Sequence, residues 1–343
     1  MAPRAADSRN NSESMLVIRL GAMGDIIHTL PAVSSLKTSF PDHKISWLVS
    51  PRWAPLLEGN PAVDDLIFFE REGLSAIRNT WRRLRQKRFK VAFDFQGLLQ
   101  SALAGGAAHA DTLYGFSSAV ARESHAAWFY DRAIDVVGPH RVERNLQLIA
   151  AAGASRLSER AWIPAGREDG RLPAGPFVLA CPFAGWTGKE WPLEYYEPVA
   201  RFLRREGLEL VLNVPESQRN ETAKLGEVNV HTSAIPGLIH ATRRATAILG
   251  VDSGPLHLAA ALDKPGVALF GPTDPALTGP YGSAFKVLRA PGVETTYKRH
   301  SQVHWSMRDI SVQQVVSALT SVLENSAARS SAMHMDAESN PSS

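Results

Sequence analysis

Cysteine is almost missing from this chain. Cys181 is the only one in 343 residues, which excludes an internal disulfide framework and a cysteine zinc cluster and fits a reducing compartment. Long apolar runs are missing too: nothing approaches the roughly 18 residues of a membrane-spanning helix. The first 14 residues, MAPRAADSRNNSES, lack the apolar core of a signal peptide. They read as a disordered extension (1–14), with Met15 as the start of the fold, and the serine- and alanine-rich end (326–343) reads as a disordered tail. The metal patterns H-E-x-x-H and Asp-x-Asp do not occur, so nothing visible calls for a metal or another cofactor. The dinucleotide fingerprint is absent as well. In Gly21-Ala-Met-Gly24 the third position is Met23, and the second strand ends in Val49-Ser50 without an acid for a ribose, so a nicotinamide enzyme fits poorly.

What remains is an ordinary globular mix, 44% hydrophobic and 21% charged, in a chain long enough for two cores. The formal charge is only +3, but Arg78–Lys90 concentrates seven cations and no acid. Trp81, Leu84 and Phe89 would give that helix a narrow apolar stripe. It is either a solvated helix face or a patch for an anionic membrane surface. No nucleic-acid module is visible, so nucleic acid is not expected as a partner.

Short β-rich runs alternate with helical runs. Residues 15–20, 44–50, 64–69, 91–95 and 111–116 read as strands, and 26–40, 74–90 and 140–152 as helices. After 164–176, with three prolines and three glycines, the pattern resumes. Strands are expected at 177–183, 208–214, 245–251 and 266–271, and helices at 193–206, 217–225, 235–242 and 255–262. Such alternation predicts parallel sheets covered on both faces. The expectation is an α/β protein of two Rossmann-like domains facing across a cleft. The first spans 15–163, the linker 164–176 and the second 177–325, with ligands at the carboxyl ends of the strands.

Val251-Asp-Ser-Gly-Pro-Leu-His257 is the most informative segment. Ser253 and Gly254 stand where a loop becomes a helix, and Pro255 suits the first helical position. The free N–H groups there suit an anion, usually a phosphate. Asp252 needs a partner if buried, and a sugar hydroxyl is one candidate. In the other half, Gly24-Asp25 opens a helix after the first strand. Asp25 is either a helix cap or a general base for an acceptor hydroxyl. Asp94 and Gln96 end a further strand, Asp94 as a ligand contact or a buried structural acid. Arg122 would bind a carboxylate or phosphate, or pair with Glu123 or Glu143. Thr187 and Lys189 would meet a diphosphate, although a loop lysine is often just exposed. Glu216 would accept from ribose hydroxyls or act as an N-cap. His257 is a structural histidine or part of the anion loop.

Together, Gly21-Ala-Met-Gly-Asp-Ile-Ile-His-Thr-Leu-Pro31, Asp94-Phe-Gln-Gly-Leu98, Lys189-Glu-Trp-Pro192, Val251–His257 and Gly271-Pro-Thr-Asp-Pro275 resemble the ADP-heptose:lipopolysaccharide heptosyltransferases, and among them the type I enzymes, over roughly residues 15–325. The resemblance implies a GT-B fold and inverting, metal-independent transfer of heptose from ADP-heptose to a Kdo residue of lipid A. It implies Asp25 as catalytic base. Thr187, Lys189, Glu216, Asp252, Ser253, Gly254 and His257 would stand on the donor side, with Gly24, Gln96 and Arg122 on the acceptor side. Ser253 stands where many members carry Thr, which keeps the hydroxyl. The implied location is cytoplasmic, peripheral to the inner membrane, with Arg78–Lys90 toward its anionic surface. The alternatives are a GT-B-like nucleotide-sugar epimerase, a type II heptosyltransferase acting on a heptose acceptor, and a non-catalytic membrane-surface protein.

Overall fold

The computed structural model describes residues 13–70, 73–222, 224–226, 228–282 and 284–338. Among these residues, twelve strands form two parallel sheets. The first contains β1 (Ser14–Ile18), β2 (Lys44–Val49), β3 (Asp65–Phe68), β4 (Val91–Asp94), β5 (Thr112–Phe116) and β6 (Arg132–Ile134), in the order β3-β2-β1-β4-β5-β6. The second contains β7 (Phe177–Cys181), β8 (Glu209–Asn213), β9 (Asn229–His231), β10 (Ala247–Val251), β11 (Gly266–Phe270) and β12 (Phe285–Arg289), in the order β12-β11-β10-β7-β8-β9. Each order reverses once, between β1 and β4 (Met15 opposite Val91) and between β7 and β10 (Val178 opposite Ala247). Loops leaving the carboxyl ends at such a switch point diverge and leave room for a ligand.

The central strands read as unbroken apolar runs because both faces are covered. Every residue of β7, β10 and β11 is buried. Cys181 is free and buried, and burial pushes its thiol up to about 12, so it stays protonated and inert.

The chain forms two compact units. One comprises the residues up to Gly21 with Thr29–Gly138 and Val142–Trp162; the other comprises Ala22–His28, Pro139–Arg141 and the residues from Ile163 on. The second unit thus takes two short segments from the first half of the sequence. The stretch 164–176, expected as a linker, has no regular structure but is stitched to the second unit. Arg243 donates to the carbonyls of Ile163 at 2.8 Å and Pro164 at 2.9 Å, and Arg167 N–H donates to Pro236 O at 3.0 Å.

Several elements differ from expectation for local reasons. The helix expected over 26–40 is two, Met23–Ile27 and Leu30–Ser39, because Pro31 has no N–H to continue the ladder. The helix expected over 74–90 ends at Arg85. The segment 217–225 holds only a 3-10 turn and the four-residue helix Arg219–Thr222. In place of a disordered tail from 326, a helix runs Val312–Glu338; alanine and methionine favour helix and no glycine or proline interrupts. Residues 1–12 and 339–343, the rest of the expected extension and tail, lie outside the described residues.

Asp94 proves to be the structural acid of the first unit. It is fully buried and accepts from Ser101 Oγ at 2.7 Å, Tyr130 Oη at 2.8 Å and the N–H groups of Gln96 at 2.8 Å and Gly97 at 3.2 Å. Burial raises its pKa, and these four donors oppose the rise. Asp94→Ala strands all four donors and is expected to destabilise the first unit by about 3 kcal/mol. Urea unfolding checks this, with Asp94→Asn, which keeps an acceptor oxygen, expected to fall between the variant and the wild type.

Candidate active site

The loop after β7 carries Thr187 and Lys189, and two anchors fix it. Trp191, fully buried, donates from Nε1 to Ile310 O at 2.9 Å, and Glu190 accepts from Ala184 N–H at 3.1 Å. Thr187–Lys189 form a single 3-10 turn between them. Lys189 is thereby presented to Asp252, which leaves β10 across the switch point, with Nζ 2.9 Å from Oδ2. Thr273 Oγ1 donates to the same oxygen at 2.7 Å, and His257 Nε2 lies 3.6 Å from Oδ1. Burial alone would raise the Asp252 pKa, but His257 and Lys189 outweigh it and hold the group well below the usual carboxylate range. The sequence suggested a sugar hydroxyl as the partner of this acid; in the structure the partners are side chains of the protein.

Ser253 is the N-cap of the helix Gly254–Ala261, but its side chain makes no cap hydrogen bond, and Pro255 follows in the first turn. Among the described residues, the buried Ser253 Oγ and His257 Nδ1 have no hydrogen-bond partner. A capless helix start leaves its first N–H groups without intrahelical acceptors. Buried polar atoms without partners at such a start are what a bound anion or sugar would satisfy.

The helix Met23–Ile27 packs against this one through two glycines. A Cβ on Gly24 would lie 2.3 Å from His257 Cδ2, and a Cβ on Gly254 would lie 2.7 Å from Met23 Cβ. Asp25, on the first turn of the shorter helix, is thereby brought to the Asp252–Ser253 loop. Its Oδ1 lies 2.5 Å from Arg141 Nη1, and its Oδ2 accepts from Ala22 N–H at 3.3 Å. Behind it three histidines meet: the His28 ring lies 4.4 Å from His257 and 5.2 Å from His140, whose Nε2 is 3.1 Å from Gly279 O. Among the described residues, no group of three or more His, Cys, Asp or Glu side chains is placed to hold a metal ion.

A family profile described as glycosyltransferase family 9 (heptosyltransferase) matches residues 77–305. The lipopolysaccharide heptosyltransferase 1 of Pseudomonas aeruginosa is 32% identical, over 78% of this chain and 81% of its own length. The enzyme of the same name from Escherichia coli K12 is 30% identical, over 81% of this chain and 93% of its own.

The chain belongs to glycosyltransferase family 9.

Among solved structures, the E. coli heptosyltransferase WaaC with ADP gives a TM-score of 0.73 at 25% identity, covering 91% of this chain and 99% of that one. The E. coli ADP-heptose lps heptosyltransferase II gives 0.74 at 24% identity, with the same coverage. The fold is that of the GT-B heptosyltransferases, and the chain is a glycosyltransferase.

Of the residues the family resemblance pointed to, Gly24, Asp25, Lys189, Asp252, Ser253, Gly254 and His257 meet in the second unit. Thr187 is one turn from Lys189. Glu216 stands at the carboxyl end of the neighbouring strand β8, 74% exposed and 3.6 Å from Arg219. Gln96 is buried, with Oε1 accepting from Leu20 N–H at 3.1 Å, so in this heptosyltransferase fold it ties the β4 loop to the β1 loop. Arg122 is exposed on the first unit, in a turn joined to the β4 loop by Glu123 N–H on Gly97 O at 3.0 Å. Four neighbours escaped the sequence reading: Thr273, Arg141, His28 and His140. Thr273 and His28 lie inside the quoted family motifs, but only the fold shows what they touch.

Burial first, and then the charges His257 and His140 would carry, push the His28 pKa well below its ordinary 6.5. An unfolded His28 takes a proton near pH 6.5 and the folded one resists. Its contribution to stability is therefore complete above about pH 6.5 and is lost as the pH falls toward the folded value. Melting curves from pH 7.5 to 5 are expected to show a steeper fall in Tm for the wild type than for His28→Asn. Parallel falls would assign the acid sensitivity to another group.

Proposed function

We propose that this enzyme transfers heptose from ADP-heptose to a Kdo residue of lipid A with inversion at the anomeric carbon, within lipopolysaccharide synthesis. The observation that carries the proposal is the packing of the short helix that carries Asp25 against the capless helix start at Ser253–Gly254, which follows directly from the Lys189–Asp252 pair. One acid for an acceptor alcohol thus sits on a helix packed against a cluster suited to a nucleoside diphosphate. The E. coli WaaC structure with ADP and another with ADP-2-deoxy-2-fluoro heptose support the donor class, and the type I relatives support the acceptor.

Asp25 takes the proton of the acceptor hydroxyl, whose oxygen attacks the anomeric carbon as ADP departs from the opposite face. Lys189, Thr187 and the N–H groups at Ser253–Gly254 meet the charge that grows on the diphosphate. Asp252 holds Lys189 through Oδ2 and offers Oδ1, near His257, to a heptose hydroxyl. Glu216 accepts from the ribose. Gly24 supplies the close approach beside Asp25, Arg122 meets an acidic group of the acceptor, and Gln96 acts by holding the β1 loop. Asp25→Asn is expected to lower transfer at least a hundredfold while calorimetric ADP binding stays within about twofold; turnover near wild type would remove Asp25 as base.

The acceptor is a lipid, and the first unit offers a face for an anionic bilayer. No described helix is long and apolar enough to cross a membrane. The helix Leu74–Arg85 buries Ala76, Thr80 and Leu84 and exposes a second ridge, Ile77 and Trp81. At 100° per residue, Arg78, Arg82 and Arg85 border that ridge on its solvent side. The helix Leu99–Ala107, packed against it, exposes Leu99 and Leu103, and the adjoining turn exposes Trp128 at 77%. Apolar ridges beside arginines suit a surface of anionic lipid, and Glu123, an acid beside them, is engaged in capping the second helix at Leu99 N–H, 2.6 Å away. Replacing Arg82, Arg83 and Arg85 by Ser is expected to weaken binding to phosphatidylglycerol vesicles at least tenfold in 0.1 M salt; equal binding would leave the helix an ordinary surface element.

A further inference from the structure

Asp25 as it stands is covered. The Arg141 guanidinium lies 2.5 Å from Oδ1 and the Ala22 N–H occupies Oδ2. Each oxygen keeps room for a second hydrogen bond, but a carboxylate paired with a guanidinium is stabilised as the anion and takes a proton less readily until that pairing is exchanged.

Arg141 also stands in an unusual place. It opens the helix Arg141–Ala150, where the helix dipole disfavours a cation and favours an anion. The helix therefore does not account for an arginine there; a nearby carboxylate does. The preceding residue is anchored through its side chain, with His140 Nε2 3.1 Å from Gly279 O and its ring 4.5 Å from Tyr281. The Arg141 side chain is 24% exposed and that of Asp25 16%. A second anion from solvent thus has access to a long side chain that pivots on a fixed base. The guanidinium fork fits one carboxylate as well as another.

On the premise that the acceptor is the acid sugar proposed above, we propose that Arg141 is a latch on Asp25 that the acceptor's own carboxylate releases. Without acceptor, the guanidinium occupies Asp25. When the acid sugar binds, the guanidinium passes to its carboxylate, and Asp25 is uncovered beside the hydroxyl it must deprotonate. The exchange costs little because one ion pair replaces another. It ties the availability of the base to the presence of the correct acceptor. It also guards the donor: water attacking the anomeric carbon would expel ADP, place a hydroxyl on the heptose and leave its proton on Asp25, and a covered Asp25 does not accept that proton. Arg141 acts here as a positioning and specificity residue.

The test uses the full-length enzyme and its Arg141→Gln and Arg141→Lys variants with three measurements. These are transfer kinetics with Kdo-lipid A, the same with the acceptor carboxylate converted to its amide, and ADP release from ADP-heptose without acceptor. For the wild type a preference for the acid over the amide is expected. For Arg141→Gln, KM for the acid acceptor is expected to rise about tenfold or more with a smaller change in kcat. The acid-to-amide preference should collapse toward one, and acceptor-free ADP release should increase severalfold. Arg141→Lys, which keeps the charge without the fork, should fall between, and it carries the same measurements if Arg141→Gln fails to fold. A merely structural arginine would not raise donor hydrolysis. Unchanged preference and unchanged hydrolysis in folded variants overturn the latch alone. A wild type that uses acid and amide equally overturns the latch alone, whereas a wild type that transfers no heptose to Kdo-lipid A overturns the acceptor assignment, and the latch with it.

Discussion

Two absent methyl groups are the condition on which this site depends. Gly24 lies against the His257 ring and Gly254 against Met23, each so closely that a Cβ would overlap its neighbour. The starts of two short helices, distant in sequence, can therefore touch. One carries Asp25 and the other follows directly from Asp252 and Ser253. Side chains between them would push the helices apart by ångströms, and a proton acceptor an ångström out of place loses much of its use. The glycines do not take part in the chemistry, but they set the distance at which it is possible.

Around that contact the charges are graded by how firmly they are held. Asp252 is 5% exposed and answers to three donors from three separate segments: the loop after β7, the helix after β10 and the loop after β11. It stays ionised despite its burial because those donors reward the charge. Its firmness is what aims Lys189, a flexible side chain that would otherwise sample many positions. Asp25 is more exposed, as is the Arg141 guanidinium that holds it. In the proposed reaction the fixed acid would organise the nucleotide side and the more exposed one would face the alcohol, as expected if only the second changes its protonation in each turnover.

Much of this was legible in the chain itself. Fully buried strands announce themselves as unbroken apolar runs, and the glycine, serine and proline at their carboxyl ends mark where the chain turns into a helix. That was enough for two parallel sheets and for the loops that carry Asp25, Lys189 and Asp252. The strands Arg132–Ile134, Asn229–His231 and Phe285–Arg289 lie at sheet edges; the first two are only three residues long, and all three are partly exposed, so they lack the period that betrays a strand. The helix Leu99–Ala107, rich in alanine and glycine, carries little hydrophobic contrast. Arg141 was invisible for another reason. Its partner is 116 residues away, and no local pattern connects an arginine after His140 with an aspartate after Gly24.

The unit that holds the second sheet claims Ala22–His28 and Pro139–Arg141 as its own. The break in the chain near residue 163 is thus not a break in the machinery. Exchanging halves between relatives at that point would yield hybrids whose proposed base and latch come from one parent and whose proposed nucleotide cradle comes from the other. The interchangeable module is discontinuous, and whoever recombines these enzymes must move three pieces of the gene together.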